Sequence, residues 1–466
     1  MAEKIKLGII ADAGAPTGFA TVTHNLAGYL QETGEYDIEI IGINFDGQPN
    51  EWSRKFNIWP ARLGGDLLGI GLIPRFVNEV KPDAFLLFQD FWHFPMFISS
   101  MPKQPGTVLY YPVDSPNIKG QYILSMAETC AQVCYTNFGV TESMRAAEEA
   151  WKKFKQFGEM NKVNVIDTFN ITVAGMMNPL TGAQLPAKQM HVHAKRLKGM
   201  RDRDNYNVIP HGIDLEKFHP VSKKGSRKLV ALPFDAFIVG NVNRNQSRKR
   251  QDLSIRAFAE FAKDKPDARL VMHCVAVDAQ GWDLEQLAEF YEVSDKVIFT
   301  HGSFKNTVAS IDELNYLYNS FDIQINTGGG EGWGLTSFEG AACGVPQIVP
   351  DWSATKEIWE GYGKLINVAS VRHEPAMINT QQAVIDTDHL VEVMNEMYES
   401  KEEREKVGEK CIEVTQRPEY RWENVGKQFD KIFKKVAGNV PAGGPIALNV
   451  QGVVELKKTP QGKHLK

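Results

Sequence analysis

Cysteine is scarce: the chain has five in 466 residues, an odd number. That argues against a disulfide framework and for a reducing compartment. Cys130 and Cys134 lie four apart, but no second cysteine or histidine pair accompanies them at zinc spacing, so they read as buried structural thiols. Long apolar runs are missing as well. No stretch approaches the roughly 20 residues needed to span a bilayer. The opening MAEKIKLGIIADAG has an early acidic residue and a short apolar run, the pattern of a first buried strand and not of a signal peptide. The expectation is a cytoplasmic protein with no transmembrane segment. There is no excess of positive charge either. The net charge is −5, so a nucleic-acid partner would need a local basic face. The 43% hydrophobic and 23% charged residues are ordinary for a globular chain, and the length suggests two or three domains.

Glycine is concentrated where it matters. Asn326 to Glu339 reads NTGGGEGWGLTSFE, after a strand FDIQI (321–325) and into a helix starting near Thr336. Glycines let a backbone approach a ligand closely and take positive φ, and free N–H groups at a helix start bind anions. Glu331 and Glu339 are spaced E-x7-E. Two carboxylates beside a phosphate would repel it, so they are expected to accept sugar hydroxyls instead. The residues alone read as a site for a nucleotide carrying a second sugar. The plainer alternative is a glycine-rich turn in an unrelated α/β protein.

EGWGLTSFEGAACGVP resembles the signature of family-4 retaining glycosyltransferases of the GT-B fold. The resemblance implies an α/β architecture of two Rossmann-like, doubly wound lobes facing a central cleft. It implies that Glu331 holds hydroxyls of the transferred sugar, that Glu339 holds the ribose, and that backbone N–H groups around Gly334, Leu335 and Thr336 hold the diphosphate. Upstream, FIVGNVNRNQSRKRQDL (237–253) carries Arg244 and Lys249 at R-x4-K spacing. The resemblance makes this pair straddle the donor diphosphate, and fixed cations there would stabilise the charge that grows as the glycosidic bond breaks. Arg248 and Arg250 crowd the same loop, so plain surface basicity is the alternative. Thr300 to Ser303, after the strand VIFTHGSF, are candidates for base contacts. No metal and no cofactor beyond the nucleotide-sugar co-substrate are expected.

The N-terminal half opens with KIKLGIIA (4–11), a buried parallel strand. A loop with Gly14, Pro16 and Gly18 and then a helix follow, a first doubly wound unit with its ligand end at the strand's carboxyl terminus. The resemblance places Gly18 over the donor phosphates. Asp90 and His93 end a later strand and are acceptor-side candidates, and Asp114 ends the next. Many relatives have a histidine near Asp114; here Tyr111, Val113 and Asp114 stand instead, so the catalytic helper is open. Asp114 is a candidate for sugar or acceptor hydroxyls, with a turn or N-cap aspartate as the plainer role.

The expected organisation is residues 1–221 as an acceptor-side lobe with an insertion at about 148–205, and 222–416 as the donor lobe. A crossover helix at 417–436 and an extension at 437–466 complete it. The phrase NVIPHGIDLEKFHP (207–220) marks the link, where Asp214 and Phe218 are expected to fix the turn. The insertion clusters Lys188, Lys195, Arg196, Lys198, Arg201 and Arg203, a candidate face for an anionic partner, DNA or membrane; Trp151, Phe154 and Phe157 fit a membrane-facing helix. The alternative is a solvated helix face. His191 and His193 are too few for a metal site.

The leading reading is therefore a retaining, metal-independent glycosyltransferase acting on a glycan, lipid or hydroxymethylated DNA base, the last from a likeness to phage DNA-modifying transferases. A nucleotide-sugar epimerase of the same fold and a catalytically silent nucleotide-sugar binder are the alternatives. The late position of the glycine-rich stretch, and the lack of a ribose-binding acid at the end of a following strand in the usual place, argue against a dehydrogenase.

Overall fold

A computed structural model describes residues 3–14, 17–102, 105–160, 168–173, 188–300, 309–374, 378–438 and 456–458, with the side chains of 157–195 and 456–458 outside the description. The chain forms two compact units. The first comprises Met1–Val113, Asn117–Ile209 and Glu423–Lys466; the second comprises Asp114–Pro116 and Pro210–Trp422.

The strands of the first unit are β1 (Ile5–Asp12), β2 (Tyr36–Ile43), β3 (Asn57–Pro60), β4 (Ala84–Phe88), β5 (Gly106–Tyr111), β6 (Ala131–Cys134), β7 (Thr168–Val173), β8 (Lys188–His193) and β9 (Tyr206–Val208). Seven of them form one parallel sheet in the order β3-β2-β1-β4-β5-β6-β9. β1, β4 and β5 are buried almost end to end, which is why they read as unbroken apolar runs: a parallel sheet is covered on both faces. The helix Trp422–Val436 belongs largely to this unit. Its Val425, Phe429, Phe433 and Val436 share a buried stripe, Phe429 meets Tyr110 edge-on at 4.8 Å, and the Tyr36 hydroxyl donates to Asp430 at 2.6 Å.

The second unit has β10 (Phe237–Val242), β11 (Ala268–His273), β12 (Val297–Phe299), β13 (Ile323–Ile325), β14 (Gln347–Pro350), β15 (Lys364–Ile366), β16 (Val368–His373) and β17 (Gln381–Ile385). Six make a parallel sheet in the order β12-β11-β10-β13-β14-β15, and β16 and β17 form an antiparallel hairpin. A last strand, β18 (Leu456–Lys458), pairs with β7 in a small antiparallel sheet that also holds β8.

Both large sheets follow the doubly wound 3-2-1-4-5-6 order, the first with one strand added. In such sheets ligands bind at the carboxyl ends of the strands where the order reverses. That point lies between β1 and β4 in the first unit and between β10 and β13 in the second.

The units divide between Ile209 and Pro210, earlier than the expected break after 221. The reason is local. Ile209 N–H still donates to Cys134 at 3.0 Å, whereas Ile213 N–H donates to Tyr420 at 2.8 Å and Val221 N–H to the Asn319 side chain at 2.8 Å. The linking phrase thus folds with the second unit. Asp214 accepts from Glu216 N–H at 3.1 Å, and Phe218 is buried against Tyr318.

Three of the six basic residues in the insertion are engaged with their own unit. Arg196 lies 3.6 Å from the Glu128 carboxylate, Arg201 pairs with Glu148 and lies over Trp151, and Arg203 donates to Asn137 at 3.1 Å. Lys198 is exposed, and the side chains of Lys188, His191, His193 and Lys195 lie outside the description. Phe154 is buried and stacks on half-buried Trp151, so this pair packs inward; the Phe157 side chain is outside the description. Among the described residues no helix is long and apolar enough to cross a membrane.

Candidate active site

Two loops meet at the switch point of the second sheet. The first leaves β10 as Asn243–Arg250 and the second leaves β13 as Asn326–Gly334. Hydrogen bonds tie them: Gly329 N–H donates to Arg248 O at 2.8 Å, and the Thr327 hydroxyl donates to Arg250 O at 2.8 Å. Buried Asn245 fixes the first loop from behind. Its amide donates to Val275, Ala276 and Trp282 carbonyls at 3.2, 3.2 and 2.7 Å and accepts from Trp282 N–H at 3.0 Å.

Glu331 is the centre of the arrangement. It is 6% exposed, and burial of a lone carboxylate is costly. Lys249 pairs with its Oε1, Arg248 approaches its Oε2 at 3.4 Å, and the Asn326 amide donates to Oε1 at 3.3 Å. Ser353 holds its backbone, accepting from Glu331 N–H and donating to Glu331 O, both at 3.2 Å. Burial alone would raise the Glu331 carboxyl; Lys249 and Arg248 together hold it below the ordinary carboxylate range. Arg248 also donates to Gly330 O at 2.8 Å and lies 3.6 Å from Asp114. Burial pushes the Asp114 carboxyl up, with Arg248 opposing and Glu331 adding repulsion.

Gly330 is required by space. A Cβ there would sit 2.1 Å from Asp114 O and 2.6 Å from Ser115 Oγ. Gly334 is required by conformation: at φ +94° it caps the helix Leu335–Ala342 with no side-chain hydrogen bond. The first backbone donors of that helix, at Leu335 and Thr336, are therefore not taken by a capping side chain. The Ser337 hydroxyl beside them is buried without a hydrogen-bond partner among the described residues. One turn further on, Glu339 is half-buried and accepts from the Tyr318 hydroxyl at 2.6 Å. Burial pushes its carboxyl up to about 7, and the Tyr318 hydrogen bond only partly offsets this.

Arg244 stands on the first loop as an exposed residue; its carbonyl accepts from the Gln251 amide at 2.5 Å. The cation that joins Lys249 at Glu331 is Arg248. Of the base-contact candidates, Thr300 is buried and bonded to His273 at 2.8 Å, and Ser303 lies outside the described residues.

The remaining candidates lie in the first unit. Gly18 begins the helix Gly18–Glu32, and the Thr17 side chain caps it, accepting from Ala20 N–H at 3.1 Å and donating to Asp12 at 3.2 Å. Asp90 is half-buried at the end of β4. His93 is turned inward near Trp92 and Phe97, with neither ring nitrogen hydrogen-bonded among the described residues, and burial lowers it to about 4. It was expected to face a cleft; its neighbours are apolar because the turn Phe91–His93 continues into the buried helix Phe94–Ser100.

Arg248, Asn326, Ser353 and Tyr318 were not singled out from sequence. Arg248 is adjacent to Lys249 and was visible only as crowding. Tyr318 and Ser353 are distant along the chain and carry no spacing signal.

Residues 223–413 match the family described as Glycosyl transferases group 1. This group 1 stretch lies wholly within the second unit and contains both loops. D-inositol 3-phosphate glycosyltransferase of Acidothermus cellulolyticus is 30% identical over 152 residues, 31% of this chain and 33% of that protein. The enzyme of that name from Mycolicibacterium smegmatis is 30% identical over 165 residues, 34% of this chain and 35% of that protein. The chain thus spans about a third of the length of the curated relatives it matches. Among solved structures, sucrose-phosphate synthase of Thermosynechococcus elongatus superposes with a TM-score of 0.60 at 15% identity, covering 93% of this chain and 99% of that one. Anabaena Alr3699/HepE in complex with UDP-glucose gives 0.60 at 11% identity, covering 92% and 100%. The fold is GT-B: two Rossmann-like parallel sheets of seven and six strands.

Proposed function

We propose that this protein is a retaining glycosyltransferase that moves a sugar from a nucleoside-diphosphate sugar to an acceptor hydroxyl. The observation that carries the reading is the meeting, at the second sheet's switch point, of Lys249 and Arg248 with Glu331 beside a helix start lacking a side-chain cap. The group 1 match over this unit and the UDP-glucose bound by HepE support it.

In this reading the diphosphate lies at the N–H groups of Leu335 and Thr336. Arg244, Arg248 and Lys249 supply positive charge that grows in value as the leaving diphosphate gains negative charge. That is the role a metal ion plays in other transferases, and here the chain's own cations take it. Glu331 accepts hydroxyls of the transferred sugar, and Glu339 accepts the ribose diol. The leaving phosphate oxygen takes the acceptor's proton on the same face, which retains the anomeric configuration without a carboxylate nucleophile. Gly18 is the candidate over the donor phosphates, Asp114 the candidate for sugar or acceptor hydroxyls, and Asp90 and His93 the acceptor-side candidates.

The acceptor is a hydroxyl compound: a glycan, a lipid, a hydroxymethylated DNA base or, by the names of the relatives, a phosphorylated polyol. The internal pairing of Arg196, Arg201 and Arg203 weighs against the long polyanion among these. A DNA acceptor would show binding that falls steeply between 50 and about 200 mM salt. The burial of His93 favours one other reading, a nucleotide-sugar binder without turnover.

The test is a screen of nucleotide sugars by thermal shift, followed by release of nucleoside diphosphate. A true donor at 100 times its Kd adds roughly 2.7 kcal/mol. Stabilisation with slow diphosphate release supports the transferase, stabilisation without release supports the binder, and no stabilisation by any donor removes both.

A further inference from the structure

The hairpin of β16 and β17 is not part of the parallel sheet, yet it is bonded directly to the two loops of the site. Ala383 N–H donates to Gly329 O at 2.8 Å, while Gly329 N–H donates to Arg248 O at 2.8 Å, so Gly329 bridges the hairpin and the cationic loop. Gln382 lies so close that a Cβ at Gly329 would stand 2.9 Å from its Cβ. Gln382 is 2% exposed and accepts from Arg372 at 2.7 Å. Arg372 also reaches Ser247 O at 3.4 Å, and Glu374 lies 3.5 Å from its guanidinium.

This placement leaves polar capacity unused. Arg372 Nε and Glu374 Oε2 are buried atoms without a hydrogen-bond partner among the described residues. Such atoms are costly unless a ligand or water completes them. Burial raises the Glu374 carboxyl, Arg372 and Arg248 oppose this, and Asp114 adds repulsion, which places Glu374 within electrostatic reach of the groups that hold Glu331. Three cations (Arg248, Lys249, Arg372) face three carboxylates (Asp114, Glu331, Glu374). Arg372 and Glu374, a donor beside an acceptor, suit a neutral polyhydroxyl group, which both gives and takes hydrogen bonds.

We propose that Arg372 and Glu374 form a hydroxyl-binding subsite for the transferred sugar of the donor, adjoining Glu331. Glu374 accepts from one hydroxyl and Arg372 donates to another, so the hairpin selects which sugar is carried, while the two loops hold the nucleoside diphosphate. The inference rests on the nucleotide-sugar reading above.

The experiment measures Kd by calorimetry for UDP and UDP-glucose, GDP and GDP-mannose, and ADP and ADP-glucose, using the full chain. It compares wild type, Glu374→Gln, Arg372→Lys and, as a hairpin control, Val371→Ser at an exposed neighbouring position. In the pair that wild type binds, Glu374→Gln and Arg372→Lys should each weaken the nucleotide sugar by roughly ten- to hundredfold, the value of a hydrogen bond to a charged group. The bare nucleoside diphosphate should change less than about twofold, and Val371→Ser should match wild type for both. Equal loss for sugar and bare diphosphate, or no loss in either variant, would each overturn the subsite. If Glu374→Gln fails to fold, Arg372→Lys alone decides by the same ratio. Wild type that binds no member of the panel removes the nucleotide-sugar reading itself, a different result from wild type that binds while the variants are unchanged.

Discussion

The two large sheets share one strand order, but their switch points are furnished differently. In the first unit, the helix after β1 is capped by its own Thr17, which is in turn bonded to Asp12. The turn after β4 carries Asp90 and an inward His93. In the second unit, the helix after β13, which corresponds to the one after β4, is capped by Gly334 with no side-chain hydrogen bond, and the loop after β10 brings Arg248 and Lys249 to Glu331. Equal topology therefore yields one helix start with its own side-chain cap and one without, the latter on the loop whose Glu331 pairs with Arg248 and Lys249. Backbone donors at a helix start without a side-chain cap favour an anion. The strand order says where a ligand site can be; the capping residue and the loop charges say what it can hold.

The strongest test of that difference is Lys249→Ala. It should lower the rate of diphosphate release by about 100-fold or more and cost about 3 kcal/mol of stability, because Glu331 stays buried with one cation fewer. Chemical denaturation and steady-state assays read the two effects. Adding Glu331→Gln to the same chain should restore most of the stability and none of the turnover; a double variant as unstable as the single one would show that the pair is not the source of the loss.

Arg244→Ala should separate function from folding more cleanly. The residue is exposed, so stability should stay within about 0.5 kcal/mol, while affinity for nucleoside diphosphate falls roughly tenfold or more. Unchanged affinity would place the cationic work on Arg248 and Lys249 alone.

Glu339 gives a pH signature. Its folded-state carboxyl is raised to about 7 from an ordinary 4.5, so between these values the folded protein holds a proton that the unfolded chain has released. Its contribution to stability is therefore greatest below pH 4.5 and is lost progressively as pH rises to about 7. Nucleotide affinity should move the other way, rising as the ionised carboxylate becomes able to accept both ribose hydroxyls. Glu339→Gln should flatten both trends, measured as Tm and Kd against pH. His93 in the first unit has the opposite sign: its value is lowered to about 4 from 6.5, so its contribution is present above 6.5 and lost as pH falls toward 4.

Thr17→Ala should have the smallest effect, about 1 kcal/mol from the lost cap, with nucleotide affinity unchanged. A large loss of nucleotide affinity would instead give the first unit's glycine loop a share in donor binding.

Much of the fold was legible because parallel strands buried on both faces write themselves as apolar runs, and Ile9, Leu86 and Val239 stand in such runs. The loop residues of the second site were legible for a different reason. Glycine, glutamate and basic residues crowd into two short stretches where neither strand nor helix periodicity explains them. The partners of those residues were not. Tyr318 reaches Glu339 from another helix, and Ser353 reaches Glu331 from beyond β14. The unit boundary was displaced because the hydrogen bonds of Ile213 and Val221 run to residues about 100 or more positions away in the second unit.

By itself the amino-acid order determined the alternation of strand and helix, the glycine-rich loop and the presence of two carboxylates and several cations near it. These follow from local steric preference and from burial along one segment at a time. The tertiary structure decided that Arg248 rather than Arg244 joins Lys249 at Glu331, that His93 is buried, and that the hairpin places Arg372 and Glu374 beside the site. Those outcomes depend on which distant segments share a low-dielectric interior, where an unpaired charge is costly and a paired one is fixed in place.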